Sequence, residues 1–157
     1  MAASPAAPTV APFTTASDAF LPIDGYKYVK VADEVENEAR KGFESEPEGA
    51  KAIDSFAVRS MTKDGEGVAV VMTIAIKPEQ AAVPGFKGDF VKGFAESTGK
   101  LEPATLGDED AHFATNIGGL KGFLWTKGTL VLIVMGQDRT QIEAAATALV
   151  DANKGRF

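Results

Sequence analysis

The chain has 157 residues, of which 45% are hydrophobic and 24% are charged, as in an ordinary globular domain with its own core. Its 22 acidic and 16 basic residues give a net charge of −6, and an acidic surface disfavours nucleic acids and anionic lipid headgroups as partners. No continuous apolar run is long enough to cross a bilayer. The absence of cysteine excludes disulfides, thiol nucleophiles and cysteine-ligated metals.

The first 17 residues consist mainly of alanine, proline, serine and threonine and carry no charged side chain. Because few large side chains can be buried there, we expect residues 1–18 to form a disordered linker, with a frayed terminus as the alternative. The segment lacks the basic region and apolar core of a signal peptide, but fits the stalk that remains after such a segment is removed. Residues 19–157 are predicted to form a single α+β domain.

Residues 25–31 alternate aromatic or aliphatic side chains with lysine, which is typical of a half-buried strand. A helix is predicted next, over residues 33–43, with Asp33 and Glu36 at capping-box spacing. Glu36 also belongs to the charged side of this helix, which we expect to face solvent. The apolar side recurs at four-residue spacing and consists of Val31, Val35, Ala39 and Phe43.

Two strands follow over residues 53–61 and 68–76, and the turn residues between them predict a hairpin. The second strand is apolar on both alternating faces, which is typical of a central strand that is covered on both sides. Residues 83–98 form the second predicted helix. Three phenylalanines lie along one side of it, namely Phe86, Phe90 and Phe94.

The rest of the chain has the pattern of four short strands and a final helix. The strands are predicted over residues 100–106, 110–116, 123–125 and 129–135. Asp138 is placed to cap the helix, with Gln141 at the capping-box partner position and Gly155 as a stop. The buried side of this helix is predicted to consist of Ile142, Ala145, Ala146, Leu149 and Val150.

This order of elements predicts an α+β fold, with a mainly antiparallel sheet of about six to seven strands and about three helices on one or both of its faces. The β-α-β-β-α-β beginning also fits a ferredoxin-like core with a C-terminal β-β-α extension, which stays open as the alternative. The single tryptophan, Trp125, precedes the last turn between strands. We expect it to pack in the core or at its rim.

His112 is the only histidine and follows the carboxylates of Glu109 and Asp110. A histidine beside carboxylates can ligate a metal or act as a general base, and strand alternation puts Asp110 and His112 on one face. Two ligands do not complete a metal site, so an exposed strand edge is the alternative interpretation. We predict no cofactor from these residues.

Two further stretches have the residue types of known ligand sites without their spacing. Residues 116–122 contain glycines and a lysine but not the phosphate-binding pattern, so we expect a loop between strands. The acidic side chains of Glu44, Glu46 and Glu48 lack the ligand positions of a calcium loop, and we interpret them as a solvated charge run. No serine stands in a nucleophile-elbow motif.

The remaining candidates for ligand or partner binding are Phe86, Phe90, Phe94 and Trp125. An uncharged loop over residues 81–85 precedes the phenylalanines, and any uncovered part of their row presents an apolar surface to a ligand or partner. Burial in the core is the alternative interpretation for all four side chains.

Three segments carry a further pattern: the Ala/Pro/Thr-rich stretch through Ser17, LEPATLGDEDAHFAT over residues 101–115, and GTLVLIVMGQDRTQIEAAATAL over residues 128–149. In the last, a hydrophobic strand ends in Gly-x-Asp and enters an alanine-rich helix. This pattern resembles small extracytoplasmic α/β domains of actinobacterial lipoproteins and membrane-anchored sensors, some with a Mog1/PsbP-like fold. The resemblance implies a sandwich of sheet and helices, a location outside the cytoplasm and a non-enzymatic role.

The leading hypothesis is a non-enzymatic, extracytoplasmic or cell-envelope binding or accessory domain. It would act through a hydrophobic cleft or a protein interface, on a protein partner or a small apolar ligand. The first alternative is a metal-dependent or acid/base enzyme centred on His112, with the cytoplasm as the alternative location. The second alternative is a structural or cargo-like subunit of an assembly.

Overall fold

The computed structural model describes residues 15–44, 51–98 and 100–156. Its elements, in chain order, are a 3-10 turn at Ala16–Ala19, β1 Tyr26–Lys30, α1 Asp33–Glu44, β2 Ile53–Lys63, β3 Glu66–Ile76, α2 Pro78–Ala81, α3 Phe86–Thr98, β4 Leu101–Leu106, β5 Glu109–Ile117, β6 Leu120–Lys127, β7 Leu130–Gly136, α4 Arg139–Asn153 and a 3-10 turn at Lys154–Arg156. The predicted α+β class is confirmed. The short α2 is an addition to the predicted helices, and it begins with proline at its first position.

The strands form one seven-stranded antiparallel sheet in the order β1-β2-β3-β7-β6-β5-β4. The ferredoxin-like alternative is wrong, because it places another strand between the two strands that the first helix connects. Here β1 pairs directly with β2. The two edges are the short β1, which carries Lys27 and Lys30, and β4, which carries Pro103. Lysine and proline on edge strands discourage pairing with other chains.

Helices cover both faces of the sheet, and alternation along β7 shows how the two cores are separated. Leu130, Leu132 and Val134 belong to one cluster of buried side chains, which includes α4 and the 3-10 turn at Ala16–Ala19. Val131, Ile133 and Met135 belong to a second cluster, which packs against α1 and α3. The protein is therefore a three-layer α/β/α sandwich. Within the residues described, no helix has the length and apolarity that a membrane crossing requires.

The domain begins earlier than the predicted boundary after residue 18. Ala16 and Ala19 are buried in the first core cluster, and the backbone N–H of Ala16 donates to Ser55 Oγ at 2.8 Å. Small alanine side chains let this turn pack closely on the sheet, which is why a segment of low hydrophobic content is ordered there. The rest of the predicted linker, residues 1–14, lies outside the described residues.

The hairpin between β2 and β3 turns at two residues, Asp64 and Gly65, rather than over the longer predicted loop. Both have positive φ, 54° and 81°, as a type I′ turn requires, and this turn twists in the sense that a two-residue hairpin needs. Aspartate and glycine are the residue types that adopt this backbone at low cost. The strands consequently extend up to the turn on both sides.

The final helix, α4, begins and packs as predicted. Asp138 is its N-cap, and its Oδ1 accepts a hydrogen bond from the backbone N–H of Gln141 at 3.1 Å. The predicted apolar side is fully buried, and Asn153 is buried with it. The helix ends at Asn153, and Gly155 falls in the 3-10 turn that follows rather than at the helix terminus.

Asp138→Ala is expected to lower the free energy of unfolding by about 0.5–2 kcal/mol, because one N–H of the first turn loses its acceptor. Chemical denaturation monitored by circular dichroism measures the loss. Asp138→Asn is the control, because asparagine caps a helix about as well as aspartate does. An equal loss in both variants would contradict the capping role and indicate that only the charge matters.

Candidate functional site

The two helical layers cover the sheet very differently. Six α4 side chains are buried, five of them apolar. No residue of α1 is buried. In α3, Phe94 is the only buried side chain among those that the structure describes. The inward side of α4 is therefore fully packed against the sheet, whereas α1 and α3 keep apolar groups within reach of solvent.

On this second face, half-buried phenylalanine rings connect α1 to α3. Phe43 lies with its ring centroid 5.8 Å from Phe56 of β2 and 6.4 Å from Phe90, and the Phe43 and Phe90 rings are nearly parallel. Phe86 continues the row, 6.4 Å from Phe90. Phe94 anchors α3 in the core, 7% exposed. The rings thus hold the two helices together while remaining partly accessible.

Exposed valines extend this row at both ends. Val35 lies two turns before Phe43 on α1 and is 52% exposed, although it belongs to the predicted apolar side. Val83 is 48% exposed, and its carbonyl accepts the hydrogen bond from the Phe86 N–H at the start of α3. We refer to Val35, Phe43, Val83, Phe86 and Phe90 as the α1–α3 surface. It joins two of the three large hydrophobic side chains that are exposed in the described residues, the third being Val29 of β1.

Trp125 does not belong to the α1–α3 surface. It is 2% exposed and lies in the cluster on the α4 side of the sheet, opposite Leu132 of β7. Trp125 therefore packs in the core, as predicted. The four candidate binding residues are consequently divided, with the phenylalanines on one side of the sheet and the tryptophan on the other.

His112 is half-buried on β5, opposite Pro103 of the edge strand and Leu124 of β6. Alternation puts it on the same face as Asp110, as predicted, since Ala111 belongs to the α4-side core. Within residues 15–44, 51–98 and 100–156, no group of three or more histidine, aspartate and glutamate side chains is arranged to hold a metal ion.

Glu109, which directly precedes Asp110, already forms an ion pair. Glu109 Oε1 lies 3.2 Å from Lys127 Nζ, so it serves a partly buried ion pair within the sheet. Asp110 and His112 are thus two neighbouring polar groups on β5, and the described residues supply no third ligand that would complete a metal centre with them.

The other candidate sites from the sequence are parts of ordinary turns and helices in the residues that the structure describes. Gly118 and Gly119 form the two-residue turn of the β5–β6 hairpin, with φ of 61° and 92°, and the Gly119 N–H donates to Asn116 Oδ1 at 2.8 Å. Residues 116–122 are therefore hairpin rather than phosphate loop. Glu44 pairs with Arg40 within α1. Glu46 and Glu48 lie outside the described residues.

A small polar pocket, which the sequence pattern did not indicate, lies beside β2 where β1 ends. It has a volume of about 220 Å³ and is lined by the side chains of Ser17, Lys30, Glu36, Ser55 and Arg59, among others. Glu36 was predicted to face solvent, but its side chain is only 25% exposed and lies 3.7 Å from Arg59 Nη1. The prediction failed because Arg59, which lies 23 residues further along the chain on β2, attracts the carboxylate inward.

A second depression, of about 450 Å³, lies between β1 and the chain before it. Tyr28 donates its hydroxyl to the carbonyl of Leu21 at 2.6 Å, and its ring meets Phe20 edge-on at 5.3 Å. Burial raises the pKa of Tyr28 to about 12. These contacts hold the chain before β1 against the sheet.

The fold defines the class of this protein: an α/β/α domain with one antiparallel sheet, whose α1 and α3 layer leaves aromatic rings partly accessible. Comparison of the chain with protein-family models, with curated proteins and with solved structures finds no match. The function is therefore argued from the surfaces themselves.

Proposed function

We propose that this chain is a non-enzymatic binding or accessory domain that docks a protein partner on the α1–α3 surface. The observation that supports this proposal is the contrast between the two faces of one sheet. The α4 side chains that face the sheet are buried, whereas Val35 and Val83, on the other side, are each about half exposed. Accessible apolar surfaces of this kind are typical of interaction sites.

The shape of the surface favours a protein over a small apolar ligand. Small-molecule sites are concave and enclose most of their ligand. The α1–α3 surface instead extends along two helices, from Val35 to Val83, and its side chains are open to solvent at both ends. A helix or hairpin of a partner can cover such a surface by laying apolar side chains across it.

The negative charge of α1 indicates that the partner carries positively charged side chains around its apolar contact residues. Asp33, Glu34 and Glu38 are exposed on this helix, and the chain carries a net charge of −6. A partner with lysine or arginine beside its apolar residues complements this rim and is steered toward it. The extracytoplasmic location and the family resemblance stay predictions.

Site-specific photocrosslinking tests the proposed interface, because the chain has no cysteine of its own. Val35→Cys, labelled with a photocrosslinker, is expected to capture one discrete protein from extracts of the source organism. Adding Phe90→Ser to this variant is expected to lower the crosslinked yield about tenfold, since central aromatic residues contribute a large share of interface energy. Gel mobility and mass spectrometry give the yield and the identity.

Ala144→Cys is the matched control, because Ala144 is exposed on α4 on the opposite side of the sheet. It is expected to capture none of this protein. Equal capture from both positions, or a yield that Phe90→Ser leaves unchanged in a folded variant, would overturn the proposal. Capture of a second copy of the chain would favour the alternative of a structural subunit.

A further inference from the structure

The pocket beside β2 contains an acceptor without a donor. Glu36 Oε2 is buried and has no hydrogen-bond partner among the described residues. Its ionic partner, Arg59 Nη1, lies 3.7 Å away, which is beyond hydrogen-bonding distance. A buried carboxylate oxygen without a donor has lost the hydrogen bonds that water would give it, which is unfavourable. A ligand that supplies a donor to this oxygen removes that cost.

Arg59 is held in place and still offers a positive charge to the pocket. Its Nη1 donates to the carbonyl of Val58 at 2.8 Å, and the guanidinium lies 5.2 Å from the centroid of the Phe20 ring. Lys30, on the neighbouring strand β1, lines the same pocket and pairs at 3.4 Å with Asp33. Arg59 lies close to Glu36 and Lys30 lines the same pocket, so a simple cation would be attracted by the carboxylate but repelled by these two side chains.

The edge of β2 leaves room for a ligand at this position. β1 pairs only with Arg59–Lys63, so Ile53–Val58 have no strand on that side in the part of the chain that is described. The hydroxyl groups of Thr15 and Ser17 lie 3.2 Å apart at the mouth of the pocket and add donors and acceptors. A volume of about 220 Å³ is below the usual range for drug-sized ligands, so the pocket suits only a small molecule.

We propose that this pocket binds a small zwitterion of the α-amino acid class. The ligand ammonium donates to Glu36 Oε2, and the ligand carboxylate faces Arg59 and Lys30. Each charge of such a ligand then lies next to an opposite charge of the pocket. A cation alone or an anion alone would leave one sign of the pocket's charge without a partner. The pocket borders the α1–α3 surface through Phe56. None of the five residues that define that surface lines the pocket, so this inference does not rest on the proposed interface.

The test is a titration of the isotopically labelled protein with L-alanine, followed through its backbone amide resonances. Saturable shifts are expected at Ser17, Glu36, Ser55 and Arg59. N-acetylalanine, which has no ammonium, and alaninamide, which has no carboxylate, are each expected to bind about tenfold or more weakly, because one buried charge would be left unpaired.

Glu36→Gln is expected to weaken alanine binding about tenfold or more, since the amide cannot pair with an ammonium charge. Glu38→Gln is the matched control: Glu38 lies on the same helix with its side chain 78% exposed, and this variant is expected to bind alanine as the unchanged protein does. If Glu36→Gln does not fold, comparison of the three ligands on the unchanged protein decides the question.

Three results would overturn the proposal. The first is the absence of saturable shifts with alanine, which would leave a pocket filled by water only. The second is equal binding of alanine and alaninamide, which would indicate a site for an ammonium group such as a peptide N-terminus. The third is equal binding of alanine and N-acetylalanine, which would show that the Glu36 carboxylate takes no part.

Discussion

Trp125→Ala lowers the free energy of unfolding by about 3–5 kcal/mol, the range for removing a large aromatic side chain from a core. Trp125 is 2% exposed and lies on the α4 side of β6, opposite Leu132, so its removal leaves a cavity that the rigid sheet cannot close. Domains of this size are stable by about 5–15 kcal/mol, and the variant therefore loses a large part of its stability. Urea denaturation monitored by far-ultraviolet circular dichroism measures the change.

The control for this experiment is Phe90→Ala on the opposite side of the sheet. Phe90 is only half-buried, so its removal exposes less new cavity surface and is expected to cost less, about 1–2 kcal/mol. The two variants also separate stability from binding: crosslinking from Val35 persists in folded Trp125→Ala. A stability loss below about 1 kcal/mol for Trp125→Ala would contradict its role as a core side chain.

Asn153→Ala lowers the free energy of unfolding by about 1–3 kcal/mol, because it leaves a buried acceptor without its donor. Asn153 is fully buried at the end of α4, and its Nδ2 donates to the carbonyl of Ala19 at 3.0 Å and to that of Leu149 at 2.9 Å. Its Oδ1 accepts from Arg156 Nη1 at 2.9 Å. The side chain thus ties both ends of the described chain together.

The loss is expected to be accompanied by local opening of the turn at Ala16–Ala19. That turn is held by Asn153 and by Thr73, whose buried hydroxyl donates to the carbonyl of Ala16 at 2.7 Å. Hydrogen exchange of the Phe20 and Leu21 amides measures the opening. Asn37→Ala, at an exposed position of α1, is the control and should change stability by less than about 0.5 kcal/mol. Unchanged exchange in Asn153→Ala would show that the turn does not depend on this side chain.

Local patterns predicted most elements because they are set by near neighbours in sequence. The apolar side of α4 recurs every three to four residues, and all five predicted side chains are buried. The cap at Asp138 depends on a hydrogen bond to a residue three positions away. The turn before β3 depends on the backbone angles of Asp64 and Gly65. Such signals do not depend on which part of the chain packs next to them.

The polar pocket could not be predicted in this way. Glu36 has the spacing of a capping-box residue and the surroundings of a solvated face, and both local signals were misleading. Its side chain turns toward Arg59 because β2 lies next to the start of α1 in the folded chain. Only the proximity of two elements that are distant in sequence buries Oε2 of Glu36 without a hydrogen-bond donor.

The sequence by itself determined the class of this protein: the period-two and period-3.6 patterns specify which segments are strands and which are helices, because each must turn its apolar side toward a core. Only the tertiary structure decided the order of the strands and the side of the sheet that each helix covers. Those choices put Trp125 and the phenylalanines of α3 on opposite faces. They also buried the inward side of α4 while leaving side chains of α1 and α3 partly exposed, because burial depends on contacts between segments that no local pattern encodes.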